Sequence, residues 1–436
     1  MPKPICSVIG LGKLGSPIVA TIAERGFQVI GADINQEFVD AINRGDAPVV
    51  EPDLDPMLKK NKPLISATED IEDAVFRSDI TMVIVPTPSE TSGEFSTAYV
   101  KEAAKPIARA LARKDKFHLV ILTSTVLPGA SDRDIIPELE KLSGKKCGVD
   151  FGYCYNPEFI ALGSVIRNLL NPDFLLIGES DQKSGDILEA FYKDYAPNAP
   201  VRRMRIVNAE ITKISINTYV TSKISFANMV TQLCDSIPGG DVDQVTNAIG
   251  MDTRIGLKYL KGGVGYGGPC FPRDNRALAR VYEKFGLTHA IAKATDEINH
   301  SHSEFIAAKI EKLLPQKGSV AILGAAYKPD TPVVEESQNL VVARKLIERG
   351  FSVTCYDPAA SHNAINILPD VSYAQNLEDC VRGKDLVCLM TVWDEFKKIP
   401  PALFQDSRPY FVDCWRVIDD PELKSKVKYI PLGVNS

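Results

Sequence analysis

The first two hundred residues alternate between short apolar runs and longer stretches with the apolar spacing of a helix. Strands are predicted at residues 5–9, 27–33, 81–85, 118–123 and 174–178, and helices at 13–25 and 97–114. Gly26 ends the first helix, and Asp33 ends the second strand. This alternation is typical of a parallel sheet covered by helices, and it predicts a first domain over residues 1–205.

A helical region follows. Apolar residues recur at mixed spacings over residues 206–235, and neither proline nor glycine occurs before Pro238, which predicts one long, widely buried helix. Helical sequence continues to about residue 250, and a glycine-dense loop (KGGVGYGGPCFPRD, 261–274) then interrupts it. Helical sequence resumes after this loop and continues to residue 313, so the second predicted domain covers residues 206–313.

The chain then repeats its own beginning. A strand is predicted at 318–323 (GSVAIL), and TIAERGFQVIGAD (21–33) is echoed by KLIERGFSVTCYD (345–357). The fold class is therefore α/β, with two Rossmann-like doubly wound parallel-sheet domains joined by the helical domain and its long helix. The third domain covers residues 314–436. Since Ala-Ala-Tyr-Lys follows Gly324, this turn should bind something other than a dinucleotide.

The composition of the chain mainly excludes classes of function. The 50 basic and 56 acidic residues give a net charge of −6, which offers no field for nucleic acid or an anionic membrane. No apolar run reaches the roughly 18 residues of a membrane span, and the N-terminus leads straight into a strand, so a cytoplasmic protein is expected. The nine cysteines are scattered without CxxC spacing, which predicts mostly buried core thiols, with no disulfide framework and no metal site.

A glycine fingerprint lies between the first strand and the first helix. Its residues are Gly10, Leu11, Gly12, Lys13, Leu14 and Gly15. Glycines at these positions allow a tight turn, close approach of a pyrophosphate and close packing of helix on strand. Asp33 would accept hydrogen bonds from an adenosine ribose, and Ile34-Asn35 offers no arginine for a 2′-phosphate. The pattern predicts NAD as the cofactor in preference to NADP; turn formation alone explains only one or two of the glycines.

Candidate chemistry lies in the glycine-dense loop. A cysteine by itself is more often core filler, but Cys270 stands in a backbone-exposing segment, where a thiolate could act as a nucleophile. Lys213 and Asn217 are four residues apart on the long helix, hence on one face, and could together hold a developing oxyanion.

Several ordered motifs resemble the UDP-glucose/GDP-mannose dehydrogenase family across nearly the whole chain. They are GLGKLG, VPTP (85–88), STVLPGA (124–130), NPEF (156–159), the Lys213/Asn217 helix, GMDTRIGLKYLKGGVGYGGPCFPRD (250–274) and AYKPDT (326–331). The resemblance implies an NAD-dependent four-electron oxidation of a nucleotide-sugar CH2OH to a carboxylate. The first choice of substrate is UDP-glucose, which would become UDP-glucuronate through a thiohemiacetal and a thioester on the cysteine.

The same resemblance implies roles for individual residues. Cys270 is the nucleophile, Asp274 assists proton transfer or positions water, and Glu158 is the general base. Thr125 steadies water and cofactor, and Lys213 and Asn217 contact the substrate. Further cofactor contacts are Pro86 and Thr87; further substrate contacts are Glu158, Lys261, Gly265, Tyr266, Gly267, Lys328 and Arg416. Arg254 matches an arginine that reaches into the neighbouring subunit's site, so a homodimer or a dimer-based higher oligomer is implied.

Three positions depart from the family pattern. Phe38 and Glu335 stand where the family has arginine, and Leu162 stands where it has a second glutamate. All three family residues lie near NAD. The loss of an acid at position 162 and the reversed charge at position 335 together suggest that one interaction has been replaced. This hypothesis concerns the affinity for NAD.

Three alternatives stay open. The first is another nucleotide hexose or N-acetylhexosamine as substrate, because neither the base nor the C2 substituent can be read from the sequence. The second is a two-electron 3-hydroxyacid-type dehydrogenase, which would need neither Cys270 nor the third domain. The third is a catalytically weak NAD- or nucleotide-sugar-binding regulatory protein, which has no use for a nucleophilic cysteine.

Overall fold

The computed structural model describes residues 3–160, 162–404 and 408–435. Its contacts divide the chain into two compact units, Met1–Ser215 (unit 1) and Ile216–Ser436 (unit 2). The division falls within a single helix, α9 (Ile206–Ser236), which confirms the predicted long helix. No described helix is both long enough and apolar enough to cross a membrane.

Unit 1 is built on an eight-stranded sheet. Its strands are β1 Cys6–Ile9, β2 Val29–Ala32, β3 Ile65–Thr68, β4 Ile80–Val83, β5 His118–Leu122, β6 Phe151–Tyr155, β7 Leu175–Glu179 and β8 Val201–Arg205. Its helices before α9 are α1 Gly15–Glu24, α2 Gln36–Arg44, α3 Leu54–Asn61, α4 Ile71–Arg77, α5 Ala98–Arg113, α6 Ile136–Ser143, α7 Val165–Leu170 and α8 Gln182–Tyr195. Single turns of 3-10 helix (Lys62–Leu64) and π-helix (Ser131–Ile135) complete it.

The strand order in unit 1 is β3-β2-β1-β4-β5-β6-β7-β8. Neighbouring strands are parallel except β6 and β7, which pair antiparallel through Cys154 and Tyr155. The predicted doubly wound, parallel-sheet domain is therefore confirmed, with this one antiparallel step near its edge. Strand order reverses between β1 and β4, where a doubly wound sheet opens its ligand crevice at the carboxyl ends of the strands.

Unit 2 begins with helices and ends with a second sheet. Its helices after α9 are α10 Val242–Met251, α11 Phe271–Lys284, α12 Ala290–Leu313, α13 Gln338–Glu348, α14 Ser361–Ile367, α15 Leu377–Val381 and α16 Pro421–Lys426. Its strands are β9 Ser319–Leu323, β10 Ser352–Tyr356, β11 Ser372–Tyr373, β12 Leu386–Leu389, β13 Tyr410–Asp413 and β14 Lys428–Pro431. Two 3-10 turns lie at Phe396–Lys398 and Pro401–Phe404.

The second sheet has the order β11-β10-β9-β12-β13-β14 and is parallel throughout. This is the same winding as the first six strands of unit 1, so the predicted pair of Rossmann-like sheets is confirmed. The central strands β1 and β9 are apolar along nearly their whole length and buried, because helices cover both faces of each sheet.

Candidate active site

The glycine fingerprint forms the turn between β1 and α1. A Cβ on Gly10, whose φ is +98°, would lie 2.1 Å from the Ile84 carbonyl oxygen, and one on Gly15 would lie 1.7 Å from the Gly10 carbonyl oxygen. A Cβ on Gly12 would meet no atom within 4 Å. Two of the glycines are therefore required by packing, while the third leaves open space beside the N-terminus of α1. That arrangement fits a pyrophosphate.

Asp33 lies directly after β2 and orders the same turn. Its carboxylate accepts hydrogen bonds from the backbone N–H groups of Leu11 (2.6 Å) and Asn35 (2.8 Å). Each oxygen keeps a lone pair for a ribose hydroxyl. Ile34, which follows, is 84% exposed. Its exposure was not predicted from the sequence, and an apolar side chain left in water beside a ribose site is a candidate cover for an adenine ring.

Around the fingerprint, Lys13 is exposed and Leu14 is half-buried. At the carboxyl ends of β4 and β5, Thr87 and Thr125 come together, because the Thr87 hydroxyl donates to the Thr125 carbonyl oxygen at 2.7 Å. Pro86 precedes Thr87 and is exposed. These residues therefore lie at the edge of the sheet where the crevice opens.

Glu158 and Lys213 also meet within unit 1. The Lys213 ammonium donates to the Glu158 carbonyl oxygen at 2.6 Å and lies 4.7 Å from the centre of the Phe159 ring. Glu158 as a residue is half-buried but its carboxyl is buried, and this burial raises the pKa of the carboxyl to about 7, against the opposing effect of the Lys213 charge. A carboxyl that titrates near neutral pH suits a general base.

Glu51 was not among the predicted site residues. It binds the chain at the start of α7, at the end of the segment that follows β6 and contains Glu158. Its carboxylate accepts from the backbone N–H groups of Gly163 (2.9 Å) and Val165 (2.6 Å) at the start of α7. A glutamate beside prolines in a loop gives no sequence signal for such a contact.

Cys270 stands immediately before α11, and it is the one exposed cysteine of the nine. Of the others, Cys147 is half-buried and the rest are buried, as predicted. One turn into α11, the Asp274 backbone N–H donates to the Cys270 carbonyl oxygen at 2.8 Å. The Asp274 side chain is 1% exposed and accepts from the Asn217 amide at 2.6 Å and from Arg273 at 3.3 Å. The positive end of the helix dipole at Cys270 favours an anion there.

The loop before Cys270 is closely packed through its glycines. A Cβ on Gly265 would lie 2.3 Å from the Asn299 side-chain oxygen, which accepts from the Tyr266 backbone N–H at 2.8 Å. The Tyr266 hydroxyl donates to Asp296. A Cβ on Gly267 would lie 2.4 Å from the Glu336 carbonyl oxygen. The loop therefore presents backbone rather than side chains, apart from Lys261, which is exposed at its start.

Besides Lys261, three basic residues of unit 2 were predicted to contact substrate. Lys328 is half-buried, with its ammonium 5.9 Å from the Tyr327 ring, which packs against Gly268. The Arg254 side chain is 86% exposed and forms an ion pair with Asp252 at 2.6 Å. The Arg416 side chain is only 6% exposed, and its hydrogen bonds are all to protein acceptors.

The turn after β9 is built differently from the fingerprint. One Asp357 oxygen accepts from the backbone N–H groups of Ala325 (2.8 Å) and Ala326 (2.9 Å), and also from the indole of Trp393 (3.2 Å). Asp357 is 3% exposed, and a Cβ on Gly324 would lie 2.3 Å from Thr391. Two amides of this turn are thus used internally, and that the turn binds something other than a dinucleotide stays a prediction.

Comparison with known proteins shows the family of the chain. Sequence models of the UDP-glucose/GDP-mannose dehydrogenase family match the chain at three places: the NAD binding domain at residues 5–196, the central domain at 207–301 and the UDP binding domain at 321–420. The chain belongs to this family. It is therefore an NAD-dependent oxidoreductase of nucleotide sugars, as predicted.

Individual relatives divide between substrates. UDP-glucose 6-dehydrogenase AglM of Haloferax volcanii is 33% identical over 94% of this chain and 96% of its own length. GDP-mannose 6-dehydrogenase of Pseudomonas putida is 31% identical over 90% and 92%. The solved UDP-glucose dehydrogenase of Pyrobaculum islandicum superposes with a TM-score of 0.90 at 32% identity, covering 99% of this chain and 98% of that one.

Proposed function

We propose that this family member oxidises C6 of UDP-glucose to the carboxylate of UDP-glucuronate, with Cys270 as the covalent nucleophile. The observation that carries the proposal is an exposed thiol at the N-terminus of α11, one turn from a buried aspartate that accepts a hydrogen bond from Asn217. Another nucleotide hexose or N-acetylhexosamine remains the alternative substrate, since relatives with different nucleotide sugars are about equally similar.

The reaction balances as the loss of four electrons from carbon. NAD, when bound, supplies the oxidant, and two molecules of it each accept one hydride. The alcohol loses a hydride and a proton and becomes an aldehyde, to which the Cys270 thiolate adds to form a thiohemiacetal. Loss of the second hydride from carbon and of the proton from the hydroxyl would leave a thioester. Water then cleaves its carbon–sulfur bond, giving the carboxylate and freeing the thiol.

The surrounding side chains would manage protons and charge. Glu158, whose pKa is raised by burial to about 7, would take the proton from the alcohol and later from water. Lys213 and Asn217 would stabilise the negative charge that develops on oxygen. Asp274 would orient the hydrolytic water, and Thr125 would steady both water and cofactor.

We propose that the cofactor is held by the fingerprint turn, by Asp33, and by Pro86, Thr87 and Thr125. For the nucleotide sugar, the contacts would be Lys328, Arg416 and the backbone of Gly265, Tyr266 and Gly267, with Lys261 nearby. The boundaries near residues 205 and 313 remain our proposed division into three domains.

We further propose a homodimer to which Arg254 contributes across the subunit boundary. Large apolar side chains on α9 are exposed at Tyr219 (66%), Phe226 (46%), Met229 (48%) and Leu233 (59%). Spacings of seven, three and four place them along one face of the helix, as at a helix–helix interface. Light scattering should find a dimer that Leu233→Asp dissociates. Charging an exposed isoleucine elsewhere in unit 2, by Ile365→Asp, should leave the mass unchanged.

We propose that the three residues that differ from the family pattern, Phe38, Leu162 and Glu335, weaken the binding of NAD. Phe38 and Leu162 pack against the apolar core of unit 1, while Glu335 is exposed. Restoring the family residues with Leu162→Glu and Glu335→Arg should lower the Kd for NAD, measured by calorimetry. An unchanged Kd would contradict this.

The deciding experiment counts NADH formed per UDP-glucose consumed. We expect two for wild type and for Cys147→Ser, the half-buried control thiol. Cys270→Ser should stall before the acid is formed. One NADH per sugar, or full activity without the Cys270 thiol, would favour the two-electron dehydrogenase. Absence of turnover with any nucleotide sugar would favour the binding protein.

A further inference from the structure

Glu210 is a fully buried acid in the first turns of α9, and the proposed reaction gives it no part. It precedes Lys213 by three residues, so the two side chains lie about one helical turn apart. A buried carboxylate needs hydrogen-bond donors in place of water, because leaving it unpaired is costly in free energy. The position of those donors shows what Glu210 holds.

Two backbone donors reach Glu210 from the loop after β5. One carboxylate oxygen accepts from the Gly129 N–H at 2.5 Å, and the other accepts from the Ser131 N–H at 3.0 Å. Gly129 has a φ of +82°, a conformation that favours glycine, and Ser131 begins the π-helical turn. The Ser131 hydroxyl also lies 3.0 Å from the hydroxyl of buried Tyr153. Backbone N–H groups at the start of a helical turn bind an anion well, and here the anion is a side chain of the protein itself.

The loop that Glu210 holds also carries Thr125. At the start of the loop, the Ser124 hydroxyl donates to the Val85 carbonyl oxygen at 2.7 Å and accepts from the Val85 N–H at 2.9 Å. The Thr125 carbonyl oxygen accepts from the Thr87 hydroxyl at 2.7 Å. The loop is thus tied at one end to the segment after β4, and at the other end to α9, four to six residues beyond Thr125.

The part of α9 that carries Glu210 is itself fixed to the sheet of unit 1. A Cβ on Gly178 in β7 would lie 2.8 Å from the Ala209 Cβ, so strand and helix are in close contact there. One turn after Glu210, the Lys213 ammonium donates to the Glu158 carbonyl oxygen at 2.6 Å. The helix therefore offers a fixed point from which Glu210 can hold the loop.

We propose that Glu210 is a positioning residue that binds the end of this loop and thereby fixes Thr125 at the edge of the sheet where the crevice opens. The inference rests on the proposed function, in which Thr125 steadies water and cofactor. Glu210 is closed to solvent, so it acts on the reaction through Thr125. Positioning of this kind matters because a displacement of about 1 Å can cost about 100-fold in rate.

The first test is Glu210→Gln. Glutamine has the size of glutamate but only one acceptor oxygen, so its NH2 group would oppose one of the two backbone N–H groups. We expect kcat with UDP-glucose to fall at least about tenfold, while the KM for UDP-glucose stays within about twofold of wild type, because the proposed sugar contacts lie elsewhere. Glu210→Asp keeps the charge but is one methylene shorter, so its kcat should lie between those of wild type and Glu210→Gln. A wild-type kcat in folded Glu210→Gln would overturn the proposal.

A double-mutant cycle with Thr125→Ala separates positioning from general damage. If Glu210 acts through Thr125, Glu210→Gln should change kcat by less than about twofold in the Thr125→Ala background. Losses that multiply would show that Glu210 acts independently of Thr125, and the proposal would be wrong. Thermal midpoints confirm that each variant is folded, and Glu210→Asp takes the place of Glu210→Gln in the cycle if the latter does not fold.

Glu140→Gln is the matched control. Glu140 in α6 also accepts from a backbone N–H, that of Cys147 at 3.0 Å, which lies ahead of β6 and hence at the end of the sheet opposite the crevice. The kcat of Glu140→Gln should equal that of wild type. A loss as large as that of Glu210→Gln would show that any such contact in unit 1 affects turnover, and would contradict a specific role for Glu210.

Binding of NAD gives a readout that does not depend on turnover. In calorimetry, the Kd for NAD should rise at least about threefold in Glu210→Gln, and Thr125→Ala with and without Glu210→Gln should bind NAD equally. An unchanged Kd in folded Glu210→Gln would refute the positioning role. If wild type oxidises no nucleotide sugar, the proposed function fails, while the NAD cycle still decides the role of Glu210.

Discussion

Replacing Glu158 with glutamine tests the environment that the fold gives this carboxyl. Burial raises its pKa from 4.5 to about 7. A carboxyl with a higher pKa in the folded state binds its proton more tightly there, so stability is highest below pH 4.5. Stability is then lost as pH rises from 4.5 to about 7, because the folded protein resists ionisation of the group.

The size of the effect follows from the shift. At 1.36 kcal/mol per pKa unit, the cost of burying this carboxyl is about 1 kcal/mol at pH 5 and about 3 kcal/mol at pH 8. Glutamine does not titrate. The free energy of unfolding of Glu158→Gln should therefore improve relative to wild type by about 2 kcal/mol between these two pH values.

The assay is urea unfolding of both proteins at pH 5 and pH 8. The two tryptophans of the chain, Trp393 and Trp415, both belong to unit 2. Tryptophan fluorescence therefore follows unit 2, and circular dichroism follows both units, so a dichroism change without a fluorescence change reports unit 1. A difference between variant and wild type that is the same at both pH values would refute the reasoning. Glu102→Gln, which removes an exposed carboxyl of unit 1, is the control.

Three further predictions concern catalysis, stability and cofactor binding. The kcat/KM of wild type should rise as pH increases through about 7, because only ionised Glu158 accepts a proton; a flat profile from pH 6 to 8 would contradict its role as base. Asn217→Ala removes the 2.6 Å hydrogen bond to buried Asp274 and should cost about 1.5–3 kcal/mol, measured by urea unfolding with tryptophan fluorescence; wild-type stability would show that the bond contributes nothing. Gly12→Ala should fold normally but bind NAD more weakly in calorimetry, whereas Gly15→Ala should be destabilised in thermal unfolding by about 1–3 kcal/mol or more, and equal stability of the two would contradict the packing argument.

Local pattern predicted most of the fold. The long helix begins where its apolar residues begin, and the repeat at 345–357 folds as its counterpart at 21–33 does, as the end of a helix followed by a strand. Three strands of unit 1 were missed. β3 (ISAT) is short, half-buried and lies at one edge of the sheet. β6 (FGYCY) is aromatic and short, and β8 (VRRMR) carries three arginines, which its place at the edge of the sheet allows to reach water.

In the candidate site, too, some features were predicted from the sequence and others were seen only in the structure. Sequence alone supplied the chemical groups: the glycine fingerprint, the thiol of Cys270, the carboxyl of Glu158 and the basic residues. It did not reveal that Glu51 binds the chain at the start of α7, or that Glu210 binds the loop that carries Thr125. Resemblance supplied roles for these groups, while burial and partners came only from the fold.

The physical reason for this difference is the separation along the chain of the residues that interact. Helix periodicity, turn chemistry and the steric freedom of glycine act over a few neighbouring residues, so the sequence determines them directly. The contacts of Arg416 join residues 154 and 173 positions apart, and the setting of Glu158 depends on Lys213, 55 positions away. Those distances along the chain close only on folding, so tertiary structure alone decided which charges are neutralised, which carboxyl titrates near neutrality, and which thiol stays exposed.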